Sequence, residues 1–535
     1  MTENNSNHLF VNLSHVLLSK IHNQLTNNFD RLRFSLTCKK WYNDKDHYFS
    51  FIVDDIQSTT DSHSLNILKQ SIALSSYSNL LVKSLQSKSN CKLGISNGKT
   101  HLYTDYKYNL IRNNIKDLEI DKSIYKIEIW DWNDNNILDE RFIEKLINSN
   151  VCQIDILCNV LTSFKQLPSN IKQVKCTFGF HMKLLPSKLE RLHFIPTVSK
   201  FNITSSDFDM KLLPQSLKFL QIDMANFILN IETLPPNLEE FICFSRINIQ
   251  QCQSPIIPHS LFSLTCTFKF WKHLISNSPI PTTIKYMDLS TQYDDFLQAN
   301  CIPESVETLK LYFGFGCHLT KDQFPKTLLN LEIMVENFEM ITCEIDLFKY
   351  MNRLESLTIE GAEDCNFGQL PKNIRFLNLQ GPNVKFELPD GFIIDSYLLK
   401  NKDFPNISNS IPNNCKSLKF SNNINQPLKI GMIPNQIQSI DFGSYKLSIV
   451  PSVIGSSNLN HIKISYSNIL SNFTTKTFPS NINSIQFSYR IIVVHFSRLD
   501  ENYFIYQFNL RSYQIGLINI NKIVSYLKDI EKNIL

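Results

Sequence analysis

The chain repeats one short pattern. Twelve times an apolar residue is followed by proline, two further residues, an apolar residue, two more, and then two apolar residues separated by one. The copies begin at Leu167, Leu185, Leu213, Leu234, Ile257, Ile280, Ile302, Phe324, Leu370, Ile411, Ile433 and Phe478. Two more, around Leu354 and Leu459, keep the apolar triplet without the proline. With these included, the copies recur roughly every 22 residues through most of the array, which is the period of a solenoid.

Each position has a physical reason. In the copy that runs from Ile302 to Leu311, Leu309 and Leu311 are two apart, so in a strand they share a face. Val306 precedes them where the chain turns into the strand, and the three line an interior. Pro303 has no amide hydrogen and cannot sit in a central ladder, so it belongs to the turn before the strand. It also biases Ile302 toward extended backbone. One unit cannot bury this apolar edge alone, whereas parallel stacking of neighbours makes the core continuous. The expected class is α/β, a solenoid with a parallel β-sheet.

Composition narrows the function. A chain of 535 residues exceeds one compact core, as an array requires. The net charge of +4 is scattered, which argues against nucleic acid as a partner. The start, "MTENNSNHLF", has no apolar signal core, and no run approaches the ~18 apolar residues of a membrane span. A soluble, cytoplasmic protein is expected, with the nucleus as a second compartment, so the sequon at Asn202 carries no meaning. The thirteen cysteines form no C-x-x-C pair and no zinc spacing; Cys176, Cys243 and Cys266 take interior repeat positions and read as buried thiols.

The stretch "INQPLKIGMIP" resembles the FNIP repeat family, a relative of leucine-rich repeats. Ile424 stands where Phe is usual, followed at the family spacing by Asn425, Leu428, Gly431, Ile433 and Pro434, and Asn159 keeps the same offset from Pro168. The resemblance runs over residues 109–487 and implies a leucine-rich-repeat-like solenoid. Degenerate opening strands are expected at Asn113–Ile120, Ile124–Trp130 and Val151–Leu157, with a helix-like "ILDERFIEKLINSN" between. Residues 488–535 alternate like hairpin strands and close with a helix, a terminal cap.

At the other end, Leu13, Val16, Leu17, Ile21 and Leu25 follow a helical stripe, "TNN" breaks it, and Asp30 suits the start of a second helix with Leu32, Leu36 and Trp41. This pattern, with Ser35 and Cys38, resembles the F-box; Ser14 replaces the usual Pro and His22 stands where Phe is common. The resemblance implies that Leu13, Val16, Leu17, Ile21, Leu25, Leu32, Leu36 and Trp41 bind a Skp-type adaptor. Residues 1–50 form this small helical F-box-like module and residues 51–108 a helical or irregular linker. From the residues alone, the same helices are a cap for the solenoid, whose open end exposes core.

No catalytic, cofactor or metal motif is present: no G-x-S-x-G, Walker loop, H-E-x-x-H or G-x-G-x-x-G. "DWNDNN" lacks the calcium-loop pattern. His193 and His461 fall between interior positions and are expected to face solvent as ordinary surface residues. No enzyme and no cofactor are expected. The outward strand positions carry more information. Phe219, Phe244, Tyr286 and Tyr312 bring aromatics to that face, with Asp288 and Lys310 at equivalent positions of adjacent units. Exposed aromatics among polar residues are typical of protein-binding hot spots. The resemblances together imply a substrate receptor of a cullin–RING ubiquitin ligase, with the helices on the adaptor and these six residues on an unidentified protein target. Two alternatives stay open: a non-ligase scaffold whose helices only cap the array, and an enzyme with an unrecognised site.

Overall fold

A computed structural model describes residues 11–52, 75–86, 91–96, 120, 122, 124–130, 140–157, 166–177, 182–195, 212–223, 234–243, 257–276, 279, 281–290, 297–314, 317–335, 342–360, 366–380, 385–387, 396–399, 411, 415–420, 426–455, 458–474, 476–489, 492–509 and 513–532. The chain forms two compact units. The central unit holds Ser89–Thr104 and Leu110–Asp395; the terminal unit holds Met1–Lys88, Asp105–Asn109 and Ser396–Leu535.

The repeat folds as its pattern requires. In the central unit, strands at Gln153–Leu157, Gln173–Thr177, Arg191–Ile195, Phe219–Ile222, Glu240–Cys243, Ser263–Thr267, Tyr286–Ser290, Thr308–Phe313, Asn330–Val335, Ser356–Glu360 and Phe376–Gln380 pair in parallel, each with the next. Leu309 lies opposite Met287 and Leu331, and Leu311 opposite Leu289 and Ile333. All six are buried, as is Val306. The expected strand Ile124–Trp130 also forms, and it pairs on its other side with Cys91–Ser96, inside the stretch read as a linker. The helix-like segment yields Glu140–Ile147, with Phe142, Ile143 and Leu146 buried. The opening strand expected at Asn113–Ile120 lies outside the described residues except Ile120.

Every described motif proline lies outside a strand. In most of these turns the proline carbonyl accepts from the amide three residues on, as in Ile171 to Pro168, Val306 to Pro303 and Leu328 to Pro325, at 3.1–3.4 Å. Leu354 closes the same turn on Met351 at 3.0 Å, so proline presets this turn without being essential to it.

A second ladder was not read from the sequence. The residue before the turn-closing apolar position is often Ser, Thr or Asn, and its side chain donates to a carbonyl of the preceding unit. Ser260 Oγ donates to Leu238 O at 2.7 Å, Thr283 Oγ1 to Leu261 O at 2.8 Å, Ser305 Oγ to Ile284 O at 2.8 Å and Thr327 Oγ1 to Val306 O at 2.9 Å. These bonds satisfy turn carbonyls that the strand ladder leaves open.

The terminal unit continues the design with parallel strands Ser396–Leu399, Ser417–Phe420, Ser439–Asp441, His461–Ile464 and Ser484–Tyr489. The first of these is a repeat that the pattern missed. Leu388-Pro389 precedes it, but eight residues rather than six separate that proline from Tyr397, which pairs with Leu418. After Ser484–Tyr489 the sheet turns antiparallel through Ile492–Arg498, Tyr503–Asn509 and Tyr513–Asn519, and helix Ile520–Lys532 follows. Arg498 ends the side-chain ladder: its guanidinium donates to Ile482 O at 2.6 Å and Pro479 O at 2.8 Å, where a further repeat would have placed Ser, Thr or Asn.

The amino-terminal helices His15–Gln24, Asn28–Leu36 and Lys39–Asp44 share one core with these last strands. Leu18, Leu32, Trp41, Tyr48, Phe49 and Phe51 pack with Tyr77, Leu80 and Leu81 and with Ile505 and Ile515. Arg33 Nη2 donates to Arg498 O at 2.6 Å. The module therefore extends past residue 50 into helix Ser78–Gln86, and it is fastened to the carboxy-terminal strands.

Leu309→Ala should cost ~2–5 kcal/mol in denaturant unfolding, the range for a large-to-small core change. Thr327→Val keeps the shape but removes the ladder donor, and should cost about 1 kcal/mol. A Thr327→Val variant as stable as the parent would mean that the second ladder contributes nothing.

Candidate protein-binding faces

The outward face of the central unit is built by strand alternation. Tyr286 lies between Ser263 and Thr308, Lys310 between Asp288 and Glu332, and Tyr312 between Ser290 and Met334. The structure thus brings together four of the six target-face candidates: Tyr286, Asp288, Lys310 and Tyr312. Each is half-buried. Lys310 does not pair with Asp288. Its Nζ lies 2.8 Å from Glu332 Oε2, and that hydrogen bond holds the ammonium above its ordinary pKa. Asp288 is pushed above the usual carboxylate range by burial, against the opposing pull of Lys310 and a hydrogen bond from Tyr286. Burial likewise raises the Tyr286 and Tyr312 hydroxyls. The patch is two tyrosines around a half-buried carboxylate whose facing Lys310 is bonded to Glu332.

Phe219 does not join it. It shares a row with Tyr286 but three strands away, ~14 Å at the usual strand spacing. It is only 9% exposed, and the Arg191 guanidinium covers its ring at 3.8 Å. A cation on the neighbouring outward position removes the ring from solvent, a packing that alternation alone does not reveal. Phe244 lies outside the described residues. Phe376, farther along the same row, is 47% exposed and extends the face instead.

The two histidines are also not plain surface residues. His193 Nε2 lies 2.6 Å from Asp223 Oδ2, and Gln221 Nε2 donates to the same carboxylate at 3.0 Å. His461 Nδ1 is bonded to Ser484 Oγ. Asp441, which a hydrolytic triad would need on His461, is engaged by Lys463 at 2.9 Å and by the Gly443 amide at 2.9 Å. Cys176, Cys243 and Cys266 are buried thiols, as expected, and burial pushes Cys176 and Cys266 upward. Among the described residues no cluster could hold a metal ion, and no helix is long and apolar enough to cross a membrane.

A second face lies in the terminal unit. Ser14, where the F-box pattern has Pro, is the cap of helix His15–Gln24 and accepts from the Leu17 amide at 3.4 Å. The helix buries Leu18 and His22 and turns Val16, Leu17 and Ile21 outward, at 66%, 46% and 41% exposure. The eight residues expected to contact an adaptor therefore divide. Val16, Leu17 and Ile21 form an exposed apolar stripe; Leu25 is half-buried; Leu13 and Leu36 lean on the core. Leu32 and Trp41 are core residues and offer no surface to a partner, because the second and third helices spend them on the module itself.

A parallel β-solenoid with capping strands defines a repeat protein. The FNIP Repeat family model matches residues 405–445, the stretch that contains "INQPLKIGMIP". No curated protein matches the chain. Among solved structures, a leucine-rich repeat protein from Bacteroides ovatus is similar over 74% of this chain and 92% of its own, at 13% identity and a TM-score of 0.16.

The raised Asp288 pKa has a definite sign. Ionising a carboxyl whose folded pKa lies above its unfolded value costs stability, fully so above the folded pKa and not at all below the unfolded one. Asp288→Asn should therefore raise the thermal midpoint at pH 7, and the gain should shrink as pH falls into the carboxylate range. A variant less stable at pH 7 would show that Lys310 compensates the charge in full.

Proposed function

We propose that this protein is a substrate receptor of a cullin–RING ubiquitin ligase. Helix His15–Gln24 holds a Skp-type adaptor, the outward sheet face holds a protein target, and the chain performs no bond chemistry of its own. The observation that carries this reading is the stripe Val16–Leu17–Ile21: apolar, exposed, and on a helix whose opposite side is anchored by Leu18 and His22. A stripe of this kind is the usual docking element of a helix-in-groove contact. On the target side, Tyr286 and Tyr312 supply rigid contact area at low entropic cost, and Asp288 and Lys310 orient it. Such a receptor works in the cytoplasm or nucleus.

A second reading rests on the shared core. Ile505, Ile515 and the Arg33–Arg498 bond make the helices a fitting cap for the terminal strands of a scaffold without ligase function.

Surface substitutions separate the two readings better than truncation, which would also strip core from the cap strands. Leu17→Glu with Ile21→Glu should abolish co-purification of a Skp-type adaptor while the thermal midpoint stays within about 2 °C, since both side chains already face water. If the intact chain retains no adaptor, the capping scaffold stands. Tyr286→Ala with Tyr312→Ala should weaken target capture by at least ~2 kcal/mol in sum and leave adaptor binding unchanged. Equal weakening by a Ser439→Ala, Gln486→Ala pair would move the target site off the aromatic patch.

A further inference from the structure

The buried side of helix His15–Gln24 holds an anomaly. His22 is fully buried, and neither ring nitrogen has a hydrogen-bond partner. Its neighbours are aromatic: Phe49 at 4.6 Å between ring centroids, Tyr48 at 5.9 Å and Phe34 at 6.4 Å, the last two edge-on. The imidazole occupies the place of a phenyl ring and packs like one. Unlike a phenyl ring, it can take up a proton.

The surroundings oppose that proton. From the facing helix Asn28–Leu36 the charged neighbour is Arg31, whose guanidinium is pinned by the Leu25 carbonyl at 3.1 Å and the Ser50 carbonyl at 2.9 Å, and so cannot swing away. From the segment after Lys39–Asp44, the Tyr48 hydroxyl donates to the Trp41 carbonyl at 3.0 Å, and the Lys45 ammonium sits over the Tyr42 ring at 4.4 Å. Two carboxylates of the module are engaged elsewhere: Asp30 with Asn27 and Arg33, and Asp44 with His15. On the helix itself, the Asn23 side chain favours the charged ring, but it ranks behind burial and the Arg31 repulsion. The same core leaves the Trp41 indole N–H unpaired, so it has little polar reserve.

We propose that His22 is an acid-sensitive latch: protonation of its unpartnered ring releases the amino-terminal helix from its aromatic cage and withdraws the Val16–Leu17–Ile21 face. The release stands on the cage alone; the consequence for docking rests on the adaptor reading. A charged imidazole has no acceptor inside, and opening gives it water on both nitrogens. The sign follows. Burial, reinforced by Arg31, lowers the His22 pKa from 6.5 to about 4, so the open state binds the proton more tightly than the closed one. Stability of the module is complete above the ordinary histidine pKa and drains away as pH falls toward the folded value. Between pH 7 and pH 5 the opening equilibrium should shift roughly 20-fold toward open.

Hydrogen exchange of the full chain, followed by mass spectrometry and corrected for intrinsic pH dependence, tests this. Peptides covering residues 15–52 should lose about that factor in protection between pH 7 and pH 5, while helix Phe268–Ser276 of the central unit should not. His22→Phe and His22→Leu each remove the titrating ring, and in whichever folds the acid-dependent loss should vanish. Unchanged protection of the wild type at pH 5, or the same loss in a folded His22→Phe or His22→Leu variant, overturns the latch. Acid release in a chain that binds no adaptor even at pH 7 leaves the latch standing and removes only the adaptor reading.

Discussion

The carbonyl just after each turn holds the solenoid together. Glu307 O accepts two successive amides of the next unit, Leu329 N at 2.8 Å and Asn330 N at 3.0 Å, and Lys285 O does the same for Glu307 and Thr308. The bond pair recurs along both units, for example from Lys416 O to Gln438 and Ser439. It sets the register of the strands it starts, because the turn before most of them is closed by the proline carbonyl and often stapled to its neighbour by Ser, Thr or Asn. A strand that begins one residue out would put its interior pair on the wrong face. The interior apolar ladder therefore depends on turn chemistry as much as on hydrophobic burial.

That division of labour frees the outward strand positions. They carry no fold-determining bonds, so the chain can place Tyr286, Asp288, Lys310 and Tyr312 there at little cost to the core. Some positions are nonetheless turned inward on themselves. Lys126 bridges Glu128 at 2.6 Å and Asp155 at 2.7 Å, and Arg191 lies on Phe219. In the terminal unit the same economy gives the first helix two roles: one side completes the core with Ile505 and Ile515, and the other presents Val16, Leu17 and Ile21.

Much of the fold was legible because it rests on local rules. Spacing by two identified Leu309 and Leu311 as interior, and the missing amide hydrogen placed Pro303 in the turn. The strand Ser396–Leu399 escaped because two extra residues after Pro389 broke the spacing, though the Leu-Pro pair was there to be seen. The Ser/Thr/Asn ladder was visible as composition at a single motif position, but its purpose needs the preceding unit's carbonyl.

The candidate sites were less legible, for a physical reason. Alternation says which side of a strand a residue leaves from, not what lies across from it. Whether Phe219 meets solvent or Arg191, and whether Lys310 chooses Asp288 or Glu332, is settled between units by side-chain reach. Likewise a helical stripe identifies Val16, Leu17, Ile21, Leu32 and Trp41 as apolar, but only a partner surface decides which are spent on the core. By itself the sequence determined the repeat, its parallel sheet and its interior, because these follow from backbone geometry repeated in register. Tertiary structure alone decided that the first helices fasten to the last strands, and that His22 sits unpartnered among aromatic rings, because the first depends on contacts between opposite ends of the chain and the second on how the segments around Phe34 and Tyr48 close over one ring.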